Sequence, residues 1–154
     1  MGASIADIKN FIRIDDHVGT AGQPTAEQFT AVRDAGYEAV VNLLPGEQDN
    51  ALKGEDALIR GLGMEYHYIP VVWRAPRPED FTAFCEAMDK LAGRKVFVHC
   101  ALNLRVTAFY SSYAMKQLGW SRAQADALMA RVWESYPNYK ADQTWRDFVA
   151  LISR

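Results

Sequence analysis

The chain lacks most of the features that would take it outside ordinary globular chemistry. No apolar run approaches the roughly 20 residues of a membrane span, and the opening MGASIADIKNFIRIDD carries acidic residues and no signal-length apolar stretch. A cytoplasmic location is the expectation, with no membrane partner. Only two cysteines, Cys85 and Cys100, occur, too few for a disulfide framework. The net charge is only −2, so there is no broad basic footprint for nucleic acid, and any anion must be held locally. His17 and His67 show no metal-ligand spacing, and neither a metal nor another cofactor is expected. No internal repeat, low-complexity stretch or linker interrupts the chain. One domain spanning 1–154 is therefore expected, with no pattern that marks its oligomeric state.

What is present is enough for a core. The 154 residues are 49% hydrophobic and 23% charged, the balance of a domain that folds without disulfide or metal support. Strand signals, β-branched or aromatic and entered from glycine-containing turns, fall at 37–43 (YEAVVNL), 66–72 (YHYIPVV) and 96–99 (VFVH). They read as buried central strands.

Helical patterns lie between and after them. Pro24, with Thr25 three residues before Gln28, announces a helix that runs to about residue 35 and stops at Gly36. A second helix is expected over 50–60. A third begins after Pro78 and buries Phe81, Phe84, Cys85, Met88 and Leu91 at helical spacing. On that face Cys85 reads as a small apolar core residue. Past Cys100 the chain is nearly all helical: about 105–117, a segment capped by Ser121 with Gln124, and a last one carrying Trp145, Phe148, Val149 and Ile152. Trp133, Tyr136, Tyr139, Trp145 and Phe148 read as packing residues. Alternating strands and helices predict an α/β fold, a central mostly parallel sheet flanked by helices, with ligands at the carboxyl ends of the strands.

The segment VFVHCALNLR stands at such an end: an apolar strand, a cysteine, a short loop, an arginine and a helix start. Backbone N–H groups of Ala101, Leu102, Asn103 and Leu104 would curl around a bound phosphate, the helix N-terminus adds positive potential, and Arg105 offers a bidentate guanidinium. The same field favours the Cys100 thiolate near neutral pH. Such a thiolate attacks phosphorus to give a thiophosphate, which water hydrolyses. His99 reads equally as a satisfied core histidine or as a hydrogen-bonding neighbour of the thiolate, and no proton-transfer role is assigned to it.

His99, Cys100 and Arg105 resemble the signature of the protein tyrosine phosphatase superfamily. The stretch AGQPTAEQFTAVRDAGYEAVVNLLPGEQ, the strand ending in IPV and the later HCALNLR resemble a bacterial branch of small dual-specificity-like phosphatases. In that branch a Gly-Gln-Pro turn precedes the first helix and an Asn-Leu strand end faces the site. The resemblance covers nearly the whole chain. It implies the dual-specificity-like phosphatase fold and hydrolysis of phosphate monoesters, with a phosphorylated protein or small-molecule phosphate as partner.

The chain departs from that pattern in three places. The family sets five residues, a glycine among them, between cysteine and arginine, whereas only Ala101, Leu102, Asn103 and Leu104 intervene here. One helical position is about 100° of rotation, so Arg105 serves the site only if the loop is reshaped. The family's Ser or Thr after the arginine is Val106, and Thr107, at the family's distance from Cys100, is the candidate substitute. No carboxylate stands at Trp73, Arg74 or Ala75, where a general acid is expected, and Asp80 is the candidate, with Glu79 beside it. A missing general acid costs on the order of 10²–10⁴ in rate, so weak activity favouring aryl phosphates is expected. Arg74 and Arg77 read either as steering charges or as solvated loop residues.

Two other functions fit parts of the pattern. The six residues from Cys100 through Arg105 resemble the active loop of rhodanese-type sulfurtransferases, which would carry a persulfide on Cys100. A phosphate-binding pseudophosphatase would keep the cradle without turnover.

Overall fold

The computed structural model describes residues 4–154. Five strands, β1 (Ile12–Arg13), β2 (Val18–Ala21), β3 (Ala39–Asn42), β4 (Glu65–Tyr68) and β5 (Val96–His99), form one sheet in the order β1-β2-β5-β3-β4. β1 runs antiparallel to β2, and every other pairing is parallel. Ala21 and Asn42 both stand in register with His99, so β2, β5 and β3 end together. The α/β class and mostly parallel sheet are those expected.

Among the described residues seven α-helices lie between and after the strands: α1 (Ala26–Asp34), α2 (Glu55–Gly61), α3 (Pro78–Lys90), α4 (Leu104–Gln117), α5 (Arg122–Trp133), α6 (Pro137–Lys140) and α7 (Gln143–Ile152). Alternate residues of a strand face opposite sides of the sheet, and the core divides accordingly. Val40 and Phe97 pack with Phe29 and Val32 of α1 and Ile59 of α2. Val41 and Val98 pack with Phe84 of α3, Phe109 of α4, Leu128 of α5 and Trp145 and Phe148 of α7. α4 crosses this second layer with every residue from Leu104 to Ala114 buried.

The capping signals form as read. Thr25 Oγ1 accepts from the Gln28 amide at 3.1 Å while the Gln28 side chain accepts from the Thr25 amide at 2.9 Å, and Ser121 with Gln124 repeats the arrangement. Gly36 ends α1 at φ +95°, a conformation that favours glycine.

Four expectations need correcting. The strand expected at 66–72 is shorter and lies at the sheet edge, half-exposed, because its backbone pairs with β3 alone. α2 starts at Glu55 rather than residue 50, since Gly54 sits at φ +74° and breaks the helix there. Cys85 is half-buried rather than a core residue, although Phe81, Phe84, Met88 and Leu91 on the same helix are buried. β1, β2 and α6 were not expected at all: two are very short, and β2 carries a glycine at its centre.

Among the described residues no helix is long and apolar enough to cross a membrane, and no group of three or more His, Cys, Asp or Glu side chains is placed to hold a metal.

Candidate active site

Cys100 follows the last residue of β5, and its amide donates to the Ala21 carbonyl at 3.3 Å. The loop after it is fastened from behind. His99 Nδ1 lies 3.1 Å from the Cys100 carbonyl oxygen. The Gln23 amide donates to the Ala101 carbonyl at 3.0 Å, and Asn10 Nδ2 donates to the Leu102 carbonyl at 2.9 Å. The Asn103 carbonyl accepts from the Thr107 amide at 3.2 Å and from the Thr107 hydroxyl at 2.8 Å. In a trans peptide the carbonyl and the next amide point opposite ways. With the Cys100, Ala101 and Asn103 carbonyls tied back, the amides of Ala101, Leu102 and Leu104 are turned the other way, while the Asn103 amide faces the Ala21 carbonyl across the Gly22–Leu102 bridge. The N–H groups of Leu104, Arg105 and Val106 also lack carbonyls one turn back, as at any helix start.

Asn103 explains how the loop does without a glycine. It takes the left-handed conformation, φ +69°, which asparagine tolerates better than most residues. Its side chain secures the turn by donating to the Asn10 carbonyl at 2.9 Å and to Thr20 Oγ1 at 3.0 Å. Gly22 lies directly against the loop, where a Cβ would collide with the Ala101 carbonyl oxygen.

A cavity of about 250 Å³ opens here, lined by Ala101, Leu102, Leu104, Arg105, Trp73 and Tyr139, with Gln48 and Asn50 opposite. The shortened loop thus brings Arg105 to the cavity. Arg105 is only 5% exposed, and its Nε has no hydrogen-bond partner. Among the described residues no carboxylate pairs with it. Its guanidinium lies 5.3 Å from the Trp73 ring centre. Trp73 is stacked on Trp145 at 4.7 Å and on Trp133 at 5.9 Å, and its Nε1 donates to Asp142 Oδ2 at 3.0 Å. A buried guanidinium without a counter-charge is costly, and a bound oxyanion would supply one.

Cys100 is fully buried and does not line the cavity. Behind it, His99 Nε2 lies 2.6 Å from Glu55 Oε2, with both side chains buried. The other cysteine is half-buried on α3; burial, with Asp89 adding, pushes its thiol up to about 11.

The remaining candidates take other positions. Asp80 is buried at the start of α3, where its carboxylate accepts from the Arg77 amide at 3.0 Å and from the Arg77 guanidinium at 2.8 Å. It lies outside the cavity lining, as does every other carboxylate. The Thr107 hydroxyl donates into the first turn of α4 and accepts from Trp133 Nε1 at 3.1 Å; no hydrogen bond joins it to Cys100. Arg77 is held by Asp80 and Arg74 is exposed. Sequence reasoning named Asn103 for its amide but missed its side chain, and missed Glu55 and Trp73 altogether. The positive-φ demand of a glycine-free loop was the available signal for Asn103, whereas long-range contacts alone reveal the other two.

No family model matches the chain. Among curated proteins, a beta-lactamase hydrolase-like protein of Xylella fastidiosa is 28% identical over 120 residues, 76% of this chain and 28% of that one. The chain thus spans little more than a quarter of the length of that relative. Among solved structures, P. aeruginosa TpbA in complex with pTyr covers 99% of this chain and 94% of its own at 12% identity, with a TM-score of 0.66, a likeness of fold. A DUF442 protein of Shewanella putrefaciens CN-32, described as a candidate phosphatase, is 31% identical, with a TM-score of 0.86 over 97% of this chain and 92% of that one. That identity across nearly the full length of both chains, on a fold shared with TpbA, places this chain in the DUF442 family.

Proposed function

We propose that the chain is a weak cysteine-dependent phosphatase that hydrolyses phosphate monoesters through a thiophosphate on Cys100. The observation that carries this reading is Arg105: a buried guanidinium without a counter-ion, at the N-terminus of α4 and at loop distance from a cysteine. A phosphate dianion there would receive the guanidinium and the freed loop amides together.

In the first step the Cys100 thiolate attacks phosphorus; the S–P bond forms as the bond to the leaving oxygen breaks. No carboxylate lines the cavity, so the leaving oxygen takes its proton from solvent. Aryl phosphates, whose oxides leave without prior protonation, are the favoured substrates. In the second step water attacks phosphorus, the S–P bond breaks, and phosphate and thiolate are released. Arg105 and the loop amides stabilise the equatorial oxygens in both steps. The pTyr bound to TpbA and the citrate bound to the S. cerevisiae PP-IP phosphatase SIW14 are anions held by chains of the same fold.

Full burial of Cys100, together with the absence of a lining carboxylate, favours a second reading, an anion-binding pseudophosphatase. Rapid acid quench during incubation with an aryl phosphate separates the two. A phosphoryl adduct on the peptide containing Cys100 supports the phosphatase; phosphate binding with no adduct supports the pseudophosphatase.

A further inference from the structure

Residues 8–11 form a tight turn against the anion loop. The Phe11 amide donates to the Ile8 carbonyl at 3.1 Å, and the Phe11 ring stacks on Phe97 of β5 at 6.3 Å. Asn10 is the third residue of that turn, at φ +53°, a place and conformation that select glycine or asparagine. Glycine would serve the backbone with less strain. What asparagine adds is a carboxamide with two N–H donors.

Both donors are used. Nδ2 donates to the Leu102 carbonyl at 2.9 Å and to the Tyr136 hydroxyl at 2.9 Å, groups 92 and 126 positions away in the chain. The Leu102 carbonyl can only accept, which sets the amide nitrogen, not the oxygen, on that side. The neighbouring backbone holds to the same region. The Lys9 carbonyl accepts from the Gly22 amide at 2.7 Å, and the Asn10 carbonyl accepts from Asn103 Nδ2 at 2.9 Å. Among the described residues, Asn10 and Asn103 are the two other than glycine at positive φ, and the side chain of each holds the other's stretch of chain.

The two acceptors of Asn10 belong to different walls of the cavity over Arg105. Leu102 lines it directly. Tyr136 caps α6, and its ring lies 6.1 Å from that of Tyr139, which lines the cavity and meets Trp73 edge-on at 5.2 Å. One carboxamide thus bridges the loop and the aromatic wall, while Asn10 itself lies outside the cavity lining.

We propose that Asn10 is a positioning residue for anion binding: through Leu102 and Tyr136 it sets the middle of the Cys100–Arg105 loop and the Tyr139 wall at the spacing a phosphate group requires. The proposal rests on the reading of the Arg105 loop as a phosphate site, and not on turnover.

The test is calorimetric titration of inorganic phosphate into the full chain, into Asn10→Gly and into Tyr136→Phe, well below the unfolding temperature of each. Asn10→Gly keeps the positive φ and the backbone bonds and removes both donors, so phosphate binding should weaken about tenfold. Tyr136→Phe removes one hydrogen bond and leaves the turn whole, so it still reads the link where Asn10→Gly fails to fold; a loss of about threefold is expected. A merely structural role would lower the urea midpoint and leave the phosphate affinity of the folded variants unchanged, and that result overturns the proposal. No phosphate binding by the unsubstituted chain would instead overturn the anion-site reading, and this proposal with it.

Discussion

The Arg105 guanidinium lies 5.3 Å from the centre of the Trp73 ring, and that contact ties the anion site to the helical layer. Trp73 packs against both Trp133 and Trp145, and Trp145 Nε1 donates to the Trp73 carbonyl at 2.6 Å. The aromatic cluster near the chain end thus forms a wall of the cavity as well as part of the core.

Replacing Trp73 separates these roles. Trp73→Ala should cost about 3–5 kcal/mol of stability and weaken inorganic phosphate binding about fivefold, as the face over Arg105 is lost. Trp73→Phe keeps a ring but loses the bond to Asp142, costing about 1 kcal/mol with phosphate affinity held within about twofold. Urea unfolding and calorimetric titration measure the two effects.

Gly22 should tolerate no side chain. A Cβ there meets the Ala101 carbonyl oxygen, a backbone atom that cannot turn aside. Gly22→Ala should destabilise by about 2 kcal/mol or more and weaken phosphate binding together with stability. Equal denaturant midpoints for Gly22→Ala and the unsubstituted chain would show that the loop yields.

At Asn103 two substitutions divide backbone from side chain. Asn103→Gly keeps the positive φ but removes the bonds to Asn10 and Thr20, for an expected loss of about 1–3 kcal/mol. Asn103→Ala removes the same bonds and adds left-handed strain, about 1 kcal/mol more. The order unsubstituted, Gly, Ala in unfolding free energy checks the assignment.

Stability should fall as pH rises past about 9. Burial holds the Cys85 thiol at about 11 in the folded chain against 9.0 unfolded. Between those values the unfolded chain gives up a proton that the folded chain keeps, so stability is lost over that interval. Tyr110, buried and raised to about 12, continues the decline above its ordinary range. Cys85→Ala should flatten the fall between pH 9 and 11 in urea midpoints, leaving the tyrosine part.

Much of this architecture was legible because it is written locally. Thr25 with Gln28, Ser121 with Gln124 and the VFVH strand before Cys100 each act over a few residues, and such signals survive in sequence. The place of Cys100 and Arg105 between the end of a strand and the start of a helix was legible as well. Asp80 and Thr107 show the limit. Residue type and spacing made one an acid and the other a hydroxyl near the cysteine, but local hydrogen bonds use both as helix-start contacts, a use to which such residues are prone. Glu55 lies 44 positions from His99 in the chain and Trp73 sits on a loop; only the folded packing brings either to the site.

The most direct measurement is steady-state hydrolysis of an aryl phosphate between about pH 5 and 8 by the full chain, by Cys100→Ser and by Arg105→Ala, with thiosulfate and cyanide as a parallel control. Phosphate release by the unsubstituted chain is expected, lowered about 10³-fold or more by Cys100→Ser and about 10²–10³-fold by Arg105→Ala. No release at any pH, or equal release by Cys100→Ser, contradicts the account; thiocyanate formation in the control would then identify a persulfide-transfer site, and its absence an anion-binding one.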